Sequence, residues 1–496
     1  MQLPRLFPHV PDSNYSQRAG SFATKLAFWQ AWILAGWLAG FAVAAQPNIV
    51  ILVADDLGWN AVGYHSNWME TPNIDSLASQ GIELDRFYVA PMCTPTRAGL
   101  LTGRYPIRFG LARSVIPPYR NFGLPVEERT LAAALGEAGY KNRGIFGKWH
   151  LGHHQAKWHP LARGFTHFEG HYNGAIDYFD LTRDGERDWH VDYEPSDKRG
   201  YATDLIADAA CNFIRQAVAG DAPYFCYVPF GAPHSPFQAK PEDIARYAKG
   251  EKPSREDILK AMIWSMDQGI GRILETIEES GEADNTQVWF LSDNGGVREF
   301  KANNRPLRGS KLTTFEGGIR VPACVRWPAQ WKGGRKLEEV LGYIDVMPTA
   351  LASAGVEPVA GQREGRELDG INLCNLLAGT DRRLPPRDWY SYQGQSSLDS
   401  ETIAIETAQW KLVVVGPDIR SGKVTAEHQV WLFKLPDDLL EKHSLAAEQP
   451  QVVEELLEKL VAHRKLQPVG SVPPYGVGAK GFIPWKDWRI PPPSAR

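Results

Sequence analysis

Pro47-Asn48-Ile49-Val50-Ile51-Leu52-Val53-Ala54-Asp55-Asp56-Leu57-Gly58 is the stretch on which the fold turns. Ile49 to Ala54 run apolar without a break, leaving no side for water. Such a segment predicts a strand covered on both faces, as in a parallel sheet flanked by helices. Two aspartates close it. Buried carboxylates are costly unless cations satisfy them, and ligand sites of open α/β sheets lie at the carboxyl ends of strands. The alternative is a solvated Asp-Asp turn.

The same pattern recurs downstream. Arg143 to Phe146 reads as a strand running into Gly147-Lys148-Trp149-His150-Leu151-Gly152. Tyr224 to Val228 leads to Gly231-Ala232-Pro233-His234, and Thr286 to Leu291 to Ser292-Asp293-Asn294-Gly295-Gly296. Helices are expected over Thr71 to Ala78, Thr130 to Ala138, Asp204 to Ala217 and Ile258 to Glu279. Alternating strands and helices predict an α/β fold with a large, mostly parallel sheet flanked by helices. Lys148 and His150 alternate, so an extended exit would aim both the same way. A short strand from Leu84 to Tyr88 feeds the next motif. Residues 164–201 read as loop material rimming a pocket, and His153 and His154 are equally readable as surface or site residues.

That next motif is Cys93-Thr94-Pro95-Thr96-Arg97, continuing as Ala98-Gly99-Leu100-Leu101-Thr102-Gly103-Arg104. Pro95 belongs in the first turn of a helix, which puts Cys93 at or just before the N-terminus. Unpaired N–H groups and the positive dipole end favour an anion there. Arg97, one turn on, adds a fixed cation.

Past about Asp381 the texture changes. Ile403 to Glu406, Trp410 to Val415 and Gln429 to Lys434 read as antiparallel strands, followed by a helix from Gln451 to His463 and a Pro- and Gly-rich tail wrapping over the surface. The expected division is 1–45 as a signal segment, 46–380 as the catalytic domain, and 381–496 as a smaller α+β subdomain with its tail.

The 496 residues are 43% hydrophobic and 23% charged, an ordinary globular composition. A formal net charge of −4 argues against a general nucleic-acid binder. Arg5, Arg18 and Lys25 precede an apolar run, Ala27 to Ala45, broken only by Gln30, with Ala42-Val43-Ala44 as a cleavage site. That predicts export to a periplasmic, secreted or lysosome-like compartment. The alternative is an uncleaved anchor, because the run approaches spanning length; a membrane is a partner only in that case. Cys211, Cys226, Cys324 and Cys374 permit up to two disulfides, or serve as small buried hydrophobes.

One sheet would gather Asp55, Asp56, Asp293 and Asn294 on one edge. This all-oxygen set suits a hard cation, Ca²⁺ ahead of Mg²⁺, and no Cys/His pairing at zinc spacing appears. With the Cys93 motif, the Lys148 and His150 segment, the Asp293 segment and Pro306-Leu307-Arg308-Gly309, the chain resembles the type I sulfatases of the alkaline phosphatase superfamily. It is most similar there to the arylsulfatase B (N-acetylgalactosamine-4-sulfatase) group.

The resemblance implies a sulfuric ester hydrolase in which a separate maturing enzyme oxidises Cys93 to formylglycine. It implies Asp55, Asp56, Asp293, Asn294 and the modified Cys93 as calcium ligands. Arg97, Lys148, His150, His234 and Lys311 would contact formylglycine or sulfate, with His234 the candidate acid for the leaving alcohol and His150 a base or orienting group. The implied substrate is a sulfated saccharide or aryl sulfate; the loops after Trp149 point the same way, since His153, His154, His171, Asp177 and Tyr178 are a mixture suited to hydrogen-bonding sugar hydroxyls and stacking on a ring. Competing readings are a phosphomonoester or phosphonate hydrolase of the same superfamily, and a non-catalytic binder of sulfated glycans.

Overall fold

The computed structural model describes residues 46–492 apart from 251, 359–365, 382, 398 and 436. The expected signal segment, 1–45, lies outside the described residues.

Among the described residues the main sheet has ten strands. In chain order they are β1 (Asn48–Ala54), β2 (Ile82–Leu84), β3 (Asn142–Lys148), β4 (His167–His171), β5 (His190–Val191), β6 (Glu194–Pro195), β7 (Tyr224–Pro229), β8 (Thr286–Ser292), β9 (Ala323–Arg326) and β10 (Arg335–Leu337). Their spatial order is β10-β2-β9-β8-β1-β7-β3-β4-β5-β6. The run from β8 to β4 is parallel, whereas β9, β5 and β6 pair antiparallel with their neighbours. The parallel reading thus holds for the core, and the sheet turns mixed toward its edges.

β1 shows why. Ile49, Ile51 and Val53 face one side with helices α2 (Cys93–Thr102) and α3 (Leu131–Glu137), while Val50, Leu52 and Ala54 face the other with α4 (Ala202–Ala217) and α5 (Arg255–Glu279). Each fully buried Val, Ile or Leu contributes about 1.5–3 kcal/mol, so both faces need cover. The register aligns Ala54 with Ser292 and Val53 with Pro229. Asp55 N–H donates to the Ala232 carbonyl at 3.0 Å, and Asp293 N–H to the Ala54 carbonyl at 2.9 Å. Three strand exits therefore meet at one level.

Local structure departs from expectation in places. The first helix, α1 (Pro72–Gln80), starts after Thr71, but the Thr71 side chain does not cap it. The Asp267 carboxylate from α5 accepts from Asn73 N–H and Ile74 N–H instead. The stretch from Leu84 to Tyr88 divides: Ile82–Leu84 joins the main sheet, and Phe87–Tyr88 pairs with Leu341–Gly342. Within 164–201, His167–His171 is a sheet strand. Its Gly170 packs so closely on β3 that a Cβ would sit 2.1 Å from the Gly147 carbonyl oxygen, a glycine requirement that hides the strand from apolar periodicity.

The C-terminal region forms an antiparallel sheet ordered β11 (Trp389–Gln393), β12 (Glu401–Glu406), β13 (Trp410–Gly416) and β14 (Gln429–Lys434), with a helix over Pro450–Arg464. β11 has no counterpart in the sequence reading. Buried Lys411 on β13 pairs with Glu316 at 2.6 Å and Glu441 at 2.9 Å, tying this sheet to the segment after Lys311. All five cysteines are unpaired thiols, with Cys211, Cys226 and Cys324 buried. Among the described residues no helix is long and apolar enough to cross a membrane.

Candidate active site

Cys93 opens α2, a helix buried along its whole length. Pro95 stands in its first turn, and Gly103 closes it at φ 66. Cys93 Sγ lies with carboxylate oxygens of Asp55 and Asp293 in a set no wider than 4.8 Å. Burial pushes the Cys93 thiol up, against the pull of Lys148 and Lys311.

The charged residues from the strand ends interlock. Arg97 Nε and Nη2 donate to Asp293 Oδ2 at 3.0 and 2.7 Å, and its Nη1 donates to the Lys148 carbonyl at 3.1 Å. Lys148 Nζ donates to Asp55 Oδ2. Burial works against the Arg97 charge, but Asp293 and Asp55 outweigh it and raise the pKa. Asp55 is pushed up to about 7 by burial and by Asp293 beside it, with Lys148 and Arg97 opposing.

Asp56 differs from its neighbour. Its φ of 67 is left-handed, a conformation that short polar Asp tolerates, and it turns the side chain toward the open side. There Lys311 Nζ lies 2.7 Å from Oδ1, and Asn294 Nδ2 donates to the same oxygen at 2.7 Å. Burial alone would raise Asp56, yet Lys311 and His234 hold it below the carboxylate range. The Lys311 pKa rises, since Asp56 outweighs burial. A side chain at Gly295 would put Cβ 1.9 Å from the Gly317 carbonyl oxygen, so glycine there lets the Asp293-Asn294 turn nest against the chain after Lys311.

The two histidines differ as well. The expected extended exit at Lys148 does not form: His150 adopts φ 55. His150 Nε2 lies 3.0 Å from the Ile116 carbonyl, which can only accept, so Nε2 carries the proton. Burial, Lys148 and Arg97 lower the His150 pKa. The ring is therefore neutral, and Nδ1 is a bare acceptor with no partner in the protein. His234 uses the other nitrogen. Its Nδ1 donates to the Ser235 carbonyl at 2.6 Å, while Nε2 lies 3.7 Å from Asp56 Oδ2. Burial and Lys311 hold His234 below its ordinary range. Its side chain is 19% exposed and that of Lys311 15%, against 0% for Arg97 and Lys148, so the first pair marks the mouth.

The donor set fits a hard cation. Asp55 Oδ1 and Asn294 Oδ1 are buried and accept no hydrogen bond from the protein. Asp55, Asp56 and His234 form a second overlapping set within 4.8 Å.

The structure thus gathers every residue singled out from the strand ends and the Cys93 motif. The expected sugar-contacting residues are otherwise engaged. His153 is buried, and both it and His154 bond the Pro118 carbonyl through Nε2. His171 is buried with Nδ1 on the Asn173 carbonyl. Asp177 accepts from Phe179 N–H, Asp180 N–H and Gln238 Nε2. Tyr178 OH lies 2.6 and 2.9 Å from the carbonyls of Gly231 and His234, sharing its one proton between them and bracing the His234 loop.

Several neighbours carried no sequence signal. Thr94 Oγ1 donates to the His150 carbonyl and accepts from Ile116 N–H. Val115 shares a small buried cluster with Met92 and Cys93, against which Leu312 packs. Gln393 Nε2 donates to the Leu312 carbonyl, and Gln395 Oε1 accepts from Val115 N–H at 3.3 Å. These last two come from the C-terminal sheet, which no local pattern connects to Cys93.

The sulfatase family model matches residues 47–356. Mouse arylsulfatase J is 30% identical over 488 residues, covering 88% of this chain and 79% of that protein. Human N-acetylgalactosamine-6-sulfatase is 35% identical over 378 residues, covering 71% and 69%. Among solved structures, Ps i-CgsB in complex with k-i-k-neocarrahexaose superposes with a TM-score of 0.77 at 30% identity, covering 86% of this chain and 95% of that one. The phosphonate monoester hydrolase of Agrobacterium radiobacter, with a TM-score of 0.61 at 19% identity over 85% and 96% of the two chains, shares the fold alone. The chain belongs to the sulfatase family and is a sulfuric ester hydrolase.

Proposed function

We propose that the chain hydrolyses sulfate monoesters of carbohydrates, using a formylglycine made from Cys93 and a calcium ion held by Asp55, Asp56, Asp293, Asn294 and the modified residue 93. The observation that carries this is the position of Cys93: first residue of a buried helix, in one tight set with Asp55 and Asp293, with Arg97 bonded to the latter. Formylglycine supplies a hydrated aldehyde as nucleophile, and the cation supplies charge neutralisation of the sulfuryl oxygens.

The protein's own groups do the rest. Arg97 holds Asp293 in place from below. Lys148 and Lys311 bring fixed positive charge to the site where the sulfuryl group would bind, and preorganised donors act most strongly there. His150, tied to Ile116 through Nε2, keeps Nδ1 without a partner in the protein, and we assign it to orienting or deprotonating the hydroxyl of residue 93. His234 Nε2 stands at the mouth and is unprotonated in the resting site. A bound sulfate ester adds a negative charge beside it, which raises its basicity so that Nε2 takes up a proton from solvent as substrate binds and can pass that proton to the leaving alcohol. Catalysis calls for maturation by a formylglycine-generating or equivalent enzyme. The targeting signal in residues 1–45 supports export, and the division into 46–380 and 381–496 separates the strand-end groups from Gln393 and Gln395.

The test is an assay of sulfated N-acetylgalactosamine, sulfated galactose and their oligosaccharides beside 4-nitrophenyl sulfate and 4-nitrophenyl phosphate. Turnover of the sulfates with calcium dependence is expected. Preference for the phosphate ester would contradict the reading.

A further inference from the structure

The site has a polar floor, but its outer wall is unassigned. Of the eight large hydrophobics left exposed among the described residues, four lie in one short stretch: Val469, Tyr475, Val477 and Ile483. The stretch belongs to the C-terminal tail, which is firmly seated. Trp488 is fully buried and donates Nε1–H to the Arg183 carbonyl at 2.9 Å. His190 Nε2 bonds the Asp487 carbonyl, and Asp487 N–H donates to Glu186. Asp487 and Trp488 hold φ values of 54 and 46. For a bulky residue such values persist only where surrounding contacts over-determine them.

The tail reaches the nucleophile in a few contacts. Val115 lies in one buried cluster with Met92 and Cys93 and gives its N–H to Gln395 Oε1. Gln395 offers its carbonyl to Tyr475 N–H at 2.9 Å. From Ile116, which holds His150, the chain runs three residues to Tyr119, at most about 11 Å. The Tyr119 ring meets Tyr475 edge-on at 6.1 Å and Phe482 at 6.0 Å. Trp485 meets His154 edge-on at 4.3 Å. Arg120 Nη2 donates to the carbonyls of Pro474 and Val477, fixing the tail to this loop. Among the described residues no carboxylate pairs with Arg120.

We propose that Tyr475, held against Tyr119, and Trp485, held between His154 and Trp488, form an aromatic platform that stacks the saccharide ring next to the sulfated one. The proposal rests on the sulfated-saccharide reading and extends it to the ring beyond the sulfated one. Aromatic faces suit the apolar C–H face of a sugar ring, and a half-exposed ring beside a polar site is the usual form of such contacts. The two residues touch substrate away from the reacting atoms, so they set specificity. They are reached by an oligosaccharide and missed by a small aryl sulfate.

The test is the specificity ratio: kcat/KM for the panel oligosaccharide best used by the wild type, divided by kcat/KM for 4-nitrophenyl sulfate. Tyr475→Ala and Trp485→Ala are each expected to lower this ratio about fivefold to tenfold, chiefly through KM. Tyr475→Phe, which keeps the ring, should restore it. An unchanged ratio in both alanine variants overturns the proposal, as does a Tyr475→Phe ratio as low as that of Tyr475→Ala. So does a concentration-dependent dimer that Tyr475→Ala dissolves with the ratio unmoved, which would make the patch a contact between copies. If the wild type cleaves 4-nitrophenyl sulfate and no sulfated saccharide, the substrate reading itself falls and takes the platform with it. If saccharides are cleaved and the ratio does not move, the platform alone fails.

Discussion

Two regions meet at Cys93 and are built on different principles. The floor consists of Asp55, Arg97, Lys148, Asp293 and Asn294, all fully buried. Strand ends supply it, apart from Arg97 on the helix that Cys93 opens. The rim consists of Val115, Leu312, Gln395, Tyr475 and Trp485, drawn from distant loops and the C-terminal region. Every floor charge leans on an opposite one, so removing one strands the other in a low-dielectric interior, a loss of about 3–5 kcal/mol. Rim contacts are mostly neutral and partly wet, worth about 1 kcal/mol each. The floor therefore governs whether chemistry occurs, and the rim governs what is admitted.

The sharpest way to probe the floor is Cys93→Ala. Turnover of every substrate should vanish, because a methyl group cannot become an aldehyde, while the melting temperature stays within a few degrees. Steady-state kinetics on aryl and sugar sulfates, beside a thermal melt, check this. Retained activity in a homogeneous sample would break the account of the floor.

Calcium removal should come next in size. Exhaustive chelation, verified by elemental analysis, should abolish activity and lower the melting temperature, since Asp55, Asp56 and Asp293 then face one another without the cation. A melting curve and rate that ignore chelation would remove the metal from the floor.

Arg97→Ala should lower unfolding stability by about 3–5 kcal/mol in denaturant titrations and slow all substrates alike, because Asp293 and Asp55 lose their guanidinium. At the mouth the effect becomes selective. His234→Ala should slow sugar sulfates by about 10²–10⁴ and 4-nitrophenyl sulfate far less, since a good leaving group has little use for an acid. Equal losses on both would leave His234 as a sulfate-binding residue. The smallest effect belongs to the rim. Gln395→Ala, which loosens Val115 behind Cys93, should change KM about threefold or less with kcat nearly intact.

The floor was legible because each of its residues carries a local signal. A continuous apolar run means a buried strand, and the residues just past the carboxyl end of such a strand reach the ligand edge of an α/β sheet. Asp55, Lys148, Asp293 and Asn294 could all be found that way, as could His234 at the mouth, and Pro95 placed Cys93 at a helix start. The rim left no such trace. Gln395 comes after a strand the sequence did not reveal, and its approach to Val115 depends on how the two sheets dock. The Lys148 exit misled for a related reason: Gly147 and a left-handed His150 re-aim the chain, and alternation assumes neither. His153, His171 and Tyr178 are polar types suited to sugars, yet here they brace loops, a choice decided by burial that composition does not encode.

The central claim is that residue 93 becomes the nucleophile. Its most direct test is the mass of the tryptic peptide spanning Cys93, taken from protein isolated from the organism that makes it, under conditions that label both thiols and aldehydes. The expected result is a peptide that has exchanged sulfur and two hydrogens for one oxygen, reacts with a hydrazide, and resists thiol alkylation. A peptide that is wholly alkylated cysteine, from protein fully active on sulfate esters, would contradict it.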